Sequence, residues 1–271
     1  YMRDVLGKAK QGNFAIPATN FIDWNSAKAY VEISEELNLP LILAFAQVHS
    51  PYLSLEEAAS IGKYFQEKAK TPVVLHLDHG QDLAFIKRAI QLGFNSVMID
   101  ASLDAFEENV RKTKEVVEVA HEFGVDVEAE IGFVGANGDV SKDEIKSIYT
   151  NVEDAEKFVQ ETNVDSLAVS IGTSHGLYKG IPKINFQRLS ELRNVLNIPL
   201  VLHGGSGSGD DNLNRCAREG ISKINIYSDF MDAGAKSVSE KSFTNYIDVL
   251  KASREGMKTT LKHYYRVFET K

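Results

Sequence analysis

The feature that most constrains the fold of this chain is a regular alternation of short apolar runs with longer segments of helical periodicity. Eight runs are rich in apolar and β-branched residues and short enough to be strands, and their starts lie 23 to 39 residues apart. The predicted strands are Asn13–Asn20, Leu41–Gln47, Val73–Asp78, Ser96–Ala101, Asp126–Ile131, Asp165–Ile171, Pro199–His203 and Ser222–Tyr227. This spacing suits a βα unit of about 30 residues.

Eight βα units in a chain of 271 residues predict an α/β fold, a (β/α)8 TIM barrel, as a single domain over residues 1–271. A doubly wound open sheet needs only about five or six strands and is the weaker alternative. Residues 2–11 predict a short helix that caps the bottom of the barrel, and extended helices follow the last strand. The long polar segment Gly132–Thr150 predicts a lid, or else a surface loop.

Composition argues against several classes of function. The formal net charge is −8, so we do not expect a nucleic-acid partner. The longest apolar run, Leu39–Ala46, is far shorter than the ~20 residues of a membrane span, and no signal peptide is evident. The single cysteine, Cys216, cannot form an internal disulfide, which fits a reducing compartment. We therefore expect a cytoplasmic protein without a membrane partner.

Polar and titratable residues follow six consecutive predicted strands, at the end where TIM barrels carry their active sites. His79, His175 and His203 each follow an apolar strand and precede a glycine. Any one of them alone is more readily explained as a structural histidine. Three neutral imidazoles with one open position, however, form a ligand set of catalytic zinc sites, so together they predict a metal site.

Several carboxylates lie at the same predicted rim. Asp78 directly precedes His79 and is placed to exchange a proton or to orient an imidazole. Asp100 and Glu130, on the next two strands, offer oxygen ligands for a second cation or a second position of the first, or else they are neutralised by lysines of the barrel. Glu128 lies on the same strand face as Glu130 but deeper, which predicts a buried structural partner.

The segment after the seventh predicted strand, His203–Gly209, is rich in glycine. Glycine lets the backbone approach a ligand closely and direct N–H groups at an anion. The loops after the last two strands often form the phosphate site of such barrels. Gly204, Gly205 and Ser206 therefore predict a phosphate site, with residues 225–228 as its opposite wall.

Six motifs, in this order, resemble the class II, metal-dependent ketose-bisphosphate aldolases, which include fructose- and tagatose-bisphosphate aldolases. They lie at Leu75–His79, Val97–Asp100, Val127–Gly132, Ile171–Gly176, Val201–Gly207 and Lys223–Asn225. The resemblance implies a lyase that reversibly cleaves a phosphorylated ketose similar to fructose or tagatose 1,6-bisphosphate. The products would be dihydroxyacetone phosphate and an aldehyde such as glyceraldehyde 3-phosphate.

The resemblance also implies a role for each site residue. Asp78 matches the aspartate that exchanges a proton with the hydroxyl at the cleaved bond, and the three histidines match the zinc ligands. Asp100 and Glu130 match carboxylates of a second cation, divalent or monovalent. The residues that match the dihydroxyacetone-phosphate pocket are Gly176, Gly204, Gly205, Ser206, Asn225, Ile226, Tyr227 and Ser228. Lys251 or Arg254 would meet the far phosphate, and a homodimer or homotetramer is expected.

The chain departs from the family pattern at three places that bear on substrate choice. Gly138 stands where the lid of the family carries the glutamate that takes the C3 proton. Ala46, followed by His49, replaces a serine or threonine after the second strand, and Tyr227 follows the eighth. These departures favour an unusual ketose phosphate. Two alternatives stay open: a non-catalytic sugar-phosphate-binding barrel or subunit that stabilises a partner aldolase, and a metal-dependent epimerase.

Overall fold

The structure, a computed structural model, describes residues 1–132, 149–175 and 180–271. Eight parallel strands close into a barrel in which each strand pairs with its sequence neighbours and β8 pairs with β1. The strands are β1 Ile16–Asn20, β2 Leu41–Ala46, β3 Val73–Gly80, β4 Ser96–Ile99, β5 Asp126–Ile131, β6 Ser166–Val169, β7 Leu200–Leu202 and β8 Ile221–Ile226. The predicted (β/α)8 barrel is confirmed.

Ten α-helices lie within the described ranges. They are α1 Met2–Gly12, α2 Trp24–Leu37, α3 Leu55–Lys68, α4 Leu83–Leu92, α5 Phe106–Glu122, α6 Val152–Thr162, α7 Phe186–Val195, α8 Asp210–Glu219, α9 Ser228–Ser239 and α10 Tyr246–Val267. The first helix is the predicted cap, since Met2 and Leu6 pack with Ile16 and Ile42 in a cluster separate from the main core. None of the described helices is both long and apolar enough to cross a bilayer.

The apolar core lies between the barrel and its helices, because every strand is buried on both faces. Inside the barrel the residues of β5 and β8 are partly charged. The Lys223 Nζ atom lies 2.8 Å from Oε2 of Glu128, and both side chains are fully buried. Glu128 is thus the buried structural partner that its position predicted.

Most strand boundaries differ by one to three residues from the prediction, and two of the differences have clear local reasons. Asn13 adopts a left-handed conformation with φ of 52° and ends α1, so β1 begins at Ile16 and not at Asn13. Tyr227 is the N-cap residue of α9, so β8 ends at Ile226. The predicted lid, apart from its ends, and the positions Gly138 and Gly176 lie outside the described residues.

Candidate active site

A cavity of about 650 Å³ opens at the carboxyl ends of the strands. Most of the predicted site residues line it, although they come from six different strand ends. They are Asp78, His79, Asp100, Glu130, His175, Gly204, Gly205, Ser206, Asn225, Tyr227 and Ser228. Closure of the barrel therefore brings these positions, distant in sequence, to one site.

The three predicted histidine ligands converge at this cavity, where His79 and His175 line the wall and His203 is buried behind them. One ligand atom from each of His79, His175 and His203 lies within 4.8 Å of the others. The ring of His79 is centred 4.9 Å from that of His175 and 4.6 Å from that of His203. His79 has φ of 48°, a left-handed conformation that is uncommon outside glycine and is often retained at functional sites.

Two of the imidazoles each have a carboxylate within hydrogen-bond distance of one ring nitrogen. The Nδ1 atom of His79 lies 2.7 Å from Oδ2 of Asp100, whose Oδ1 atom accepts hydrogen bonds from the N–H and hydroxyl groups of Ser102. The Nε2 atom of His203 lies 2.8 Å from Oε1 of Glu128. A carboxylate on one ring nitrogen fixes the orientation of a metal-binding histidine and leaves the other nitrogen free. Sequence reasoning missed this contact between Glu128 and His203.

The donor atoms fit a divalent cation. Nδ1 of His203 and Oε2 of Glu130 are buried and make no hydrogen bond to any residue in the described part of the chain. These two atoms lie 3.2 Å apart. A second group of candidate ligand atoms, from His79, Asp100 and Glu130, is equally compact. Imidazole and carboxylate donors of this kind suit zinc and its neighbours in the first transition series.

Burial and the charges of neighbouring ligands shift the pKa values of the ligand side chains. Burial and the charges of His203 and His79 lower the pKa of His175 to about 4. Burial and the charge of Asp100 raise the pKa of Glu130 to about 8. Burial opposes protonation of His79, but Asp78 and the hydrogen bond with Asp100 outweigh it and raise the pKa of His79 to about 10. A cation bound here would displace protons from the ligands.

Asp78 is held in position at the cavity wall by two amides. Its Oδ2 atom accepts a hydrogen bond of 2.9 Å from Asn20, and its Oδ1 atom one of 3.1 Å from Asn225. Burial opposes ionisation of this carboxyl, but the charges of His79 and His203 outweigh burial and keep its pKa well below the ordinary range. Asp78 is thus a fixed, ionised carboxylate beside the histidines. Asn20 was not predicted, and its only sequence signal is a polar residue at the end of β1.

The glycine loop packs against the end of β8. Gly204 has φ of +66°, and a Cβ atom there would overlap the carbonyl oxygen of Ser174. The Gly205 N–H donates to the carbonyl oxygen of Asn225, and Oγ of Ser206 accepts from the N–H of Tyr227. The N-terminus of α9 begins at the same wall, and a helix N-terminus favours an anion.

Three residues that the sequence resemblance places at the substrate do not line the cavity. Ile226 is fully buried in the main apolar core and does not line the cavity, because side chains alternate along β8 and its neighbour Asn225 faces inward. Its side chain therefore does not face the cavity, and the predicted role of Ile226 in substrate binding stays a prediction. Lys251 and Arg254 also lie away from the cavity, on α10, with Lys251 3.4 Å from Asp248.

Comparison with known proteins agrees with this site. A family model described as class II fructose-bisphosphate aldolase matches residues 1–271. The YdjI aldolase of Escherichia coli K12 is 32% identical, with a TM-score of 0.91 over 100% of this chain and 97% of that chain. A putative fructose-1,6-bisphosphate aldolase from Coccidioides immitis is 27% identical, with a TM-score of 0.86 over 98% of this chain and 95% of that chain.

A third solved structure, the fructose-bisphosphate aldolase of Campylobacter jejuni, has the same fold. It is 24% identical, with a TM-score of 0.82 over 99% of this chain and 94% of that chain. The family match covers every position of the sequence, including both segments outside the described residues. This protein therefore belongs to the class II fructose-bisphosphate aldolase family and is a lyase.

Proposed function

We propose that the protein reversibly cleaves a phosphorylated ketose into dihydroxyacetone phosphate and an aldehyde. The observation that carries this proposal is the meeting of three histidine ligands with an ionised aspartate in one cavity, beside a glycine loop. The bare barrel would not need this arrangement, since burying titratable groups along apolar strands is costly. The family match supports the aldolase reaction. That the substrate is a phosphorylated ketose is part of the proposal.

Zinc is the cation we propose for His79, His175 and His203, with Glu130 as a further ligand of the same or a second cation. A divalent cation bound there supplies Lewis-acid polarisation of the ketone oxygen of the substrate. Asp100 and Glu128 orient the ligands, because Asp100 holds the ring of His79 and Glu128 holds the ring of His203. In this proposal the ketone oxygen of the sugar phosphate faces the cation and the C4 hydroxyl faces Asp78.

Asp78 is the proton acceptor in the cleavage direction. It takes the proton of the C4 hydroxyl as the C3–C4 bond breaks, so that C4 becomes the carbonyl carbon of the aldehyde and the bonding electrons remain on C3. A proton must then reach C3. The family uses a lid glutamate where this chain has Gly138, and we propose that Asp139, Asp143 or Glu144 of the same segment supplies the proton.

The phosphate of the dihydroxyacetone half is proposed to bind between Gly204–Ser206 and the start of α9, with Gly176 as a further contact. Backbone N–H groups and the helix N-terminus give this wall a positive field without a lysine. Ser228 and the backbone of Tyr227, the N-cap residue of α9, complete this wall, and the ring of Tyr227 is left for another part of the substrate. A homodimer or homotetramer remains the expected assembly, and sedimentation velocity at two protein concentrations would test it.

The test is a coupled assay for triose phosphate release from fructose 1,6-bisphosphate, tagatose 1,6-bisphosphate and their 1-phosphates, with and without zinc. We expect zinc-dependent release from at least one sugar. An epimerase would instead convert the sugar without releasing triose phosphate. If zinc-loaded protein binds these sugars but releases no triose phosphate, the result would favour the non-catalytic alternative. Turnover that survives prolonged chelation would contradict the proposed dependence on a metal.

A further inference from the structure

We propose that the aldehyde half of the substrate carries no second phosphate, so that the enzyme cleaves a ketose 1-phosphate, and that the His49–Tyr227 ring pair is the wall that this half contacts. The inference rests on the proposed function and narrows its substrate. It departs from the bisphosphate that the sequence resemblance implies.

The side chains of His49 and Tyr227 are in contact, and both residues line the cavity. His49 lies in the short 3-10 turn Gln47–His49 after β2, and Tyr227 lies between β8 and α9. Their ring centroids are 4.5 Å apart at an interplanar angle of 35°. Because β1 stands between β8 and β2 in the barrel, residues that follow β8 and β2 come together across the end of β1, where Asn20 holds Asp78. The pair therefore lies on the side of the cavity where Asp78 would meet the leaving aldehyde.

The described part of the cavity offers no basic side chain for a second phosphate. Among the described residues that line it there is no lysine or arginine. Lys223 lies below the cavity, fully buried and bound to Glu128. A phosphate is normally held by charge-assisted hydrogen bonds from arginine or lysine, or by a set of backbone amides. The glycine loop provides amides for one phosphate, and no comparable glycine loop is found among the described residues on the side of the ring pair.

The rings suit an uncharged polyhydroxy aldehyde. Ala46 at the end of β2 leaves room next to His49, and Val48 lines the rim with 65% of its surface exposed. Aromatic faces offer apolar contact to the C–H groups of a sugar chain, and the phenol and imidazole edges offer hydrogen bonds to its hydroxyls. Such a wall tolerates aldehydes that differ in chain length and hydroxyl pattern, but it does not favour an aldehyde that carries a phosphate dianion.

The first experiment runs the reaction towards condensation with a matched pair of aldehydes. Zinc-loaded enzyme is given dihydroxyacetone phosphate with either D-glyceraldehyde or D-glyceraldehyde 3-phosphate, which differ only in the second phosphate. We expect kcat/KM for glyceraldehyde to be higher by about tenfold or more, because no lysine or arginine among the described lining residues would pair with the second phosphate. A higher kcat/KM for the phosphorylated aldehyde would overturn the inference.

Binding of unreactive polyols tests the same inference without catalysis. Calorimetry compares sorbitol 1-phosphate with sorbitol 1,6-bisphosphate on zinc-loaded protein, and we expect the monophosphate to bind at least as tightly. Tighter binding of the bisphosphate would overturn the inference even if no aldolase activity is found. Conversely, a monophosphate preference in binding with no cleavage of any ketose would contradict the proposed function and leave the ring-pair side as an uncharged subsite.

A gain of charge at the rim provides the matched variants. Val48→Arg places a cation next to His49 in the sequence, and Val48→Gln adds a shorter polar side chain without charge. We expect Val48→Arg alone to raise the ratio of kcat/KM for glyceraldehyde 3-phosphate over glyceraldehyde, by about tenfold. An equal change in both variants would contradict the electrostatic argument. The ratio is insensitive to partial loss of folded enzyme, since both aldehydes are measured on one preparation.

Discussion

At the scale of single residues, Asp78 carries the clearest prediction. Asp78→Asn keeps the size of the side chain but removes its ability to accept a proton, so we expect kcat for triose phosphate release to fall by about 100- to 10,000-fold. Zinc content should not change, because the ligands are other side chains. Metal analysis and the coupled assay measure the two effects.

Two outcomes would contradict this role. Activity of Asp78→Asn within a few-fold of the unchanged enzyme would exclude Asp78 as the proton acceptor. Loss of zinc along with activity would instead indicate that Asp78 supports the metal site. Asn20→Ala is the matched companion, since it removes one hydrogen bond to Asp78 and leaves the carboxylate in place. It should lose activity by a smaller factor than Asp78→Asn.

The ligand pKa values predict how metal binding depends on pH. His79, with a pKa of about 10, and Glu130, with a pKa of about 8, hold protons at pH 7 in the metal-free protein. Ligands must lose their protons to bind a cation, so zinc binding should release protons and tighten as the pH rises from about 6 to 8. Calorimetry in buffers of different ionisation enthalpy counts the protons released.

Asp100→Asn is the control for this prediction. It removes the hydrogen-bonded carboxylate that helps to raise the pKa of His79, so a smaller fraction of His79 is protonated at neutral pH. Fewer protons should then leave when zinc binds. A proton count that does not change in this variant, or zinc affinity that falls as the pH rises, would contradict the assignment of His79 as a ligand.

At the scale of elements, the glycine loop after β7 carries a prediction with a matched control. Gly204 and Gly124 have nearly equal φ angles of +66° and +68°, but a Cβ atom at Gly124 meets nothing within 4 Å, whereas one at Gly204 overlaps Ser174. Gly124→Ala should cost about 1–2 kcal/mol of stability from backbone strain alone. Gly204→Ala should cost about 1–3 kcal/mol more, because the loop must move.

The displaced loop should also bind phosphate less well. Steady-state kinetics of Gly204→Ala should show a raised KM for the ketose phosphate, and Gly124→Ala, on the surface after α5, should show the unchanged KM. Urea denaturation measures the stability of both. Equal losses in the two variants, with an unchanged KM in each, would contradict a role for the close approach of Gly204 to Ser174.

Element positions could be predicted well because they depend on local pattern. All eight strands lie within three residues of their predicted starts, and Ser54 and Glu57 form the capping box that the sequence indicates at α3. Thr150 and Glu153 have the sequence spacing of a capping box, but Asn151 caps α6. Thr150 donates to the carbonyl oxygen of Ile131, a contact between distant segments that no local pattern reveals.

At the scale of the whole molecule, the site shows where sequence reasoning stops. The three histidines, Asp78 and the glycine loop could be predicted because every strand of a TIM barrel delivers its end to the same face. Which carboxylate holds which ring, and that His49 stacks on Tyr227, depend on register between strands far apart in sequence. The burial of the Ile226 side chain has the same origin, because neighbouring residues of β8 face alternately the cavity and the core.

The buried ion pair across the barrel carries the last prediction. Lys223 on β8 and Glu128 on β5 are both fully buried, and the Lys223 charge, against the opposing effect of burial, keeps the pKa of Glu128 at about 2. Lys223→Met would leave an ionised carboxylate buried beneath His203 without its cation. We expect the free energy of unfolding to fall by about 3–5 kcal/mol, measured by urea denaturation.

The double variant Lys223→Met with Glu128→Gln separates the pair from its surroundings. Removing both charges should restore most of the stability, because a neutral amide is far less costly to bury than an unpaired carboxylate. Zinc affinity should still be reduced in the double variant, since Glu128 orients the imidazole of His203 through Nε2. Stability that recovers together with full zinc affinity would show that the pair serves only the barrel, and that His203 is held by other contacts.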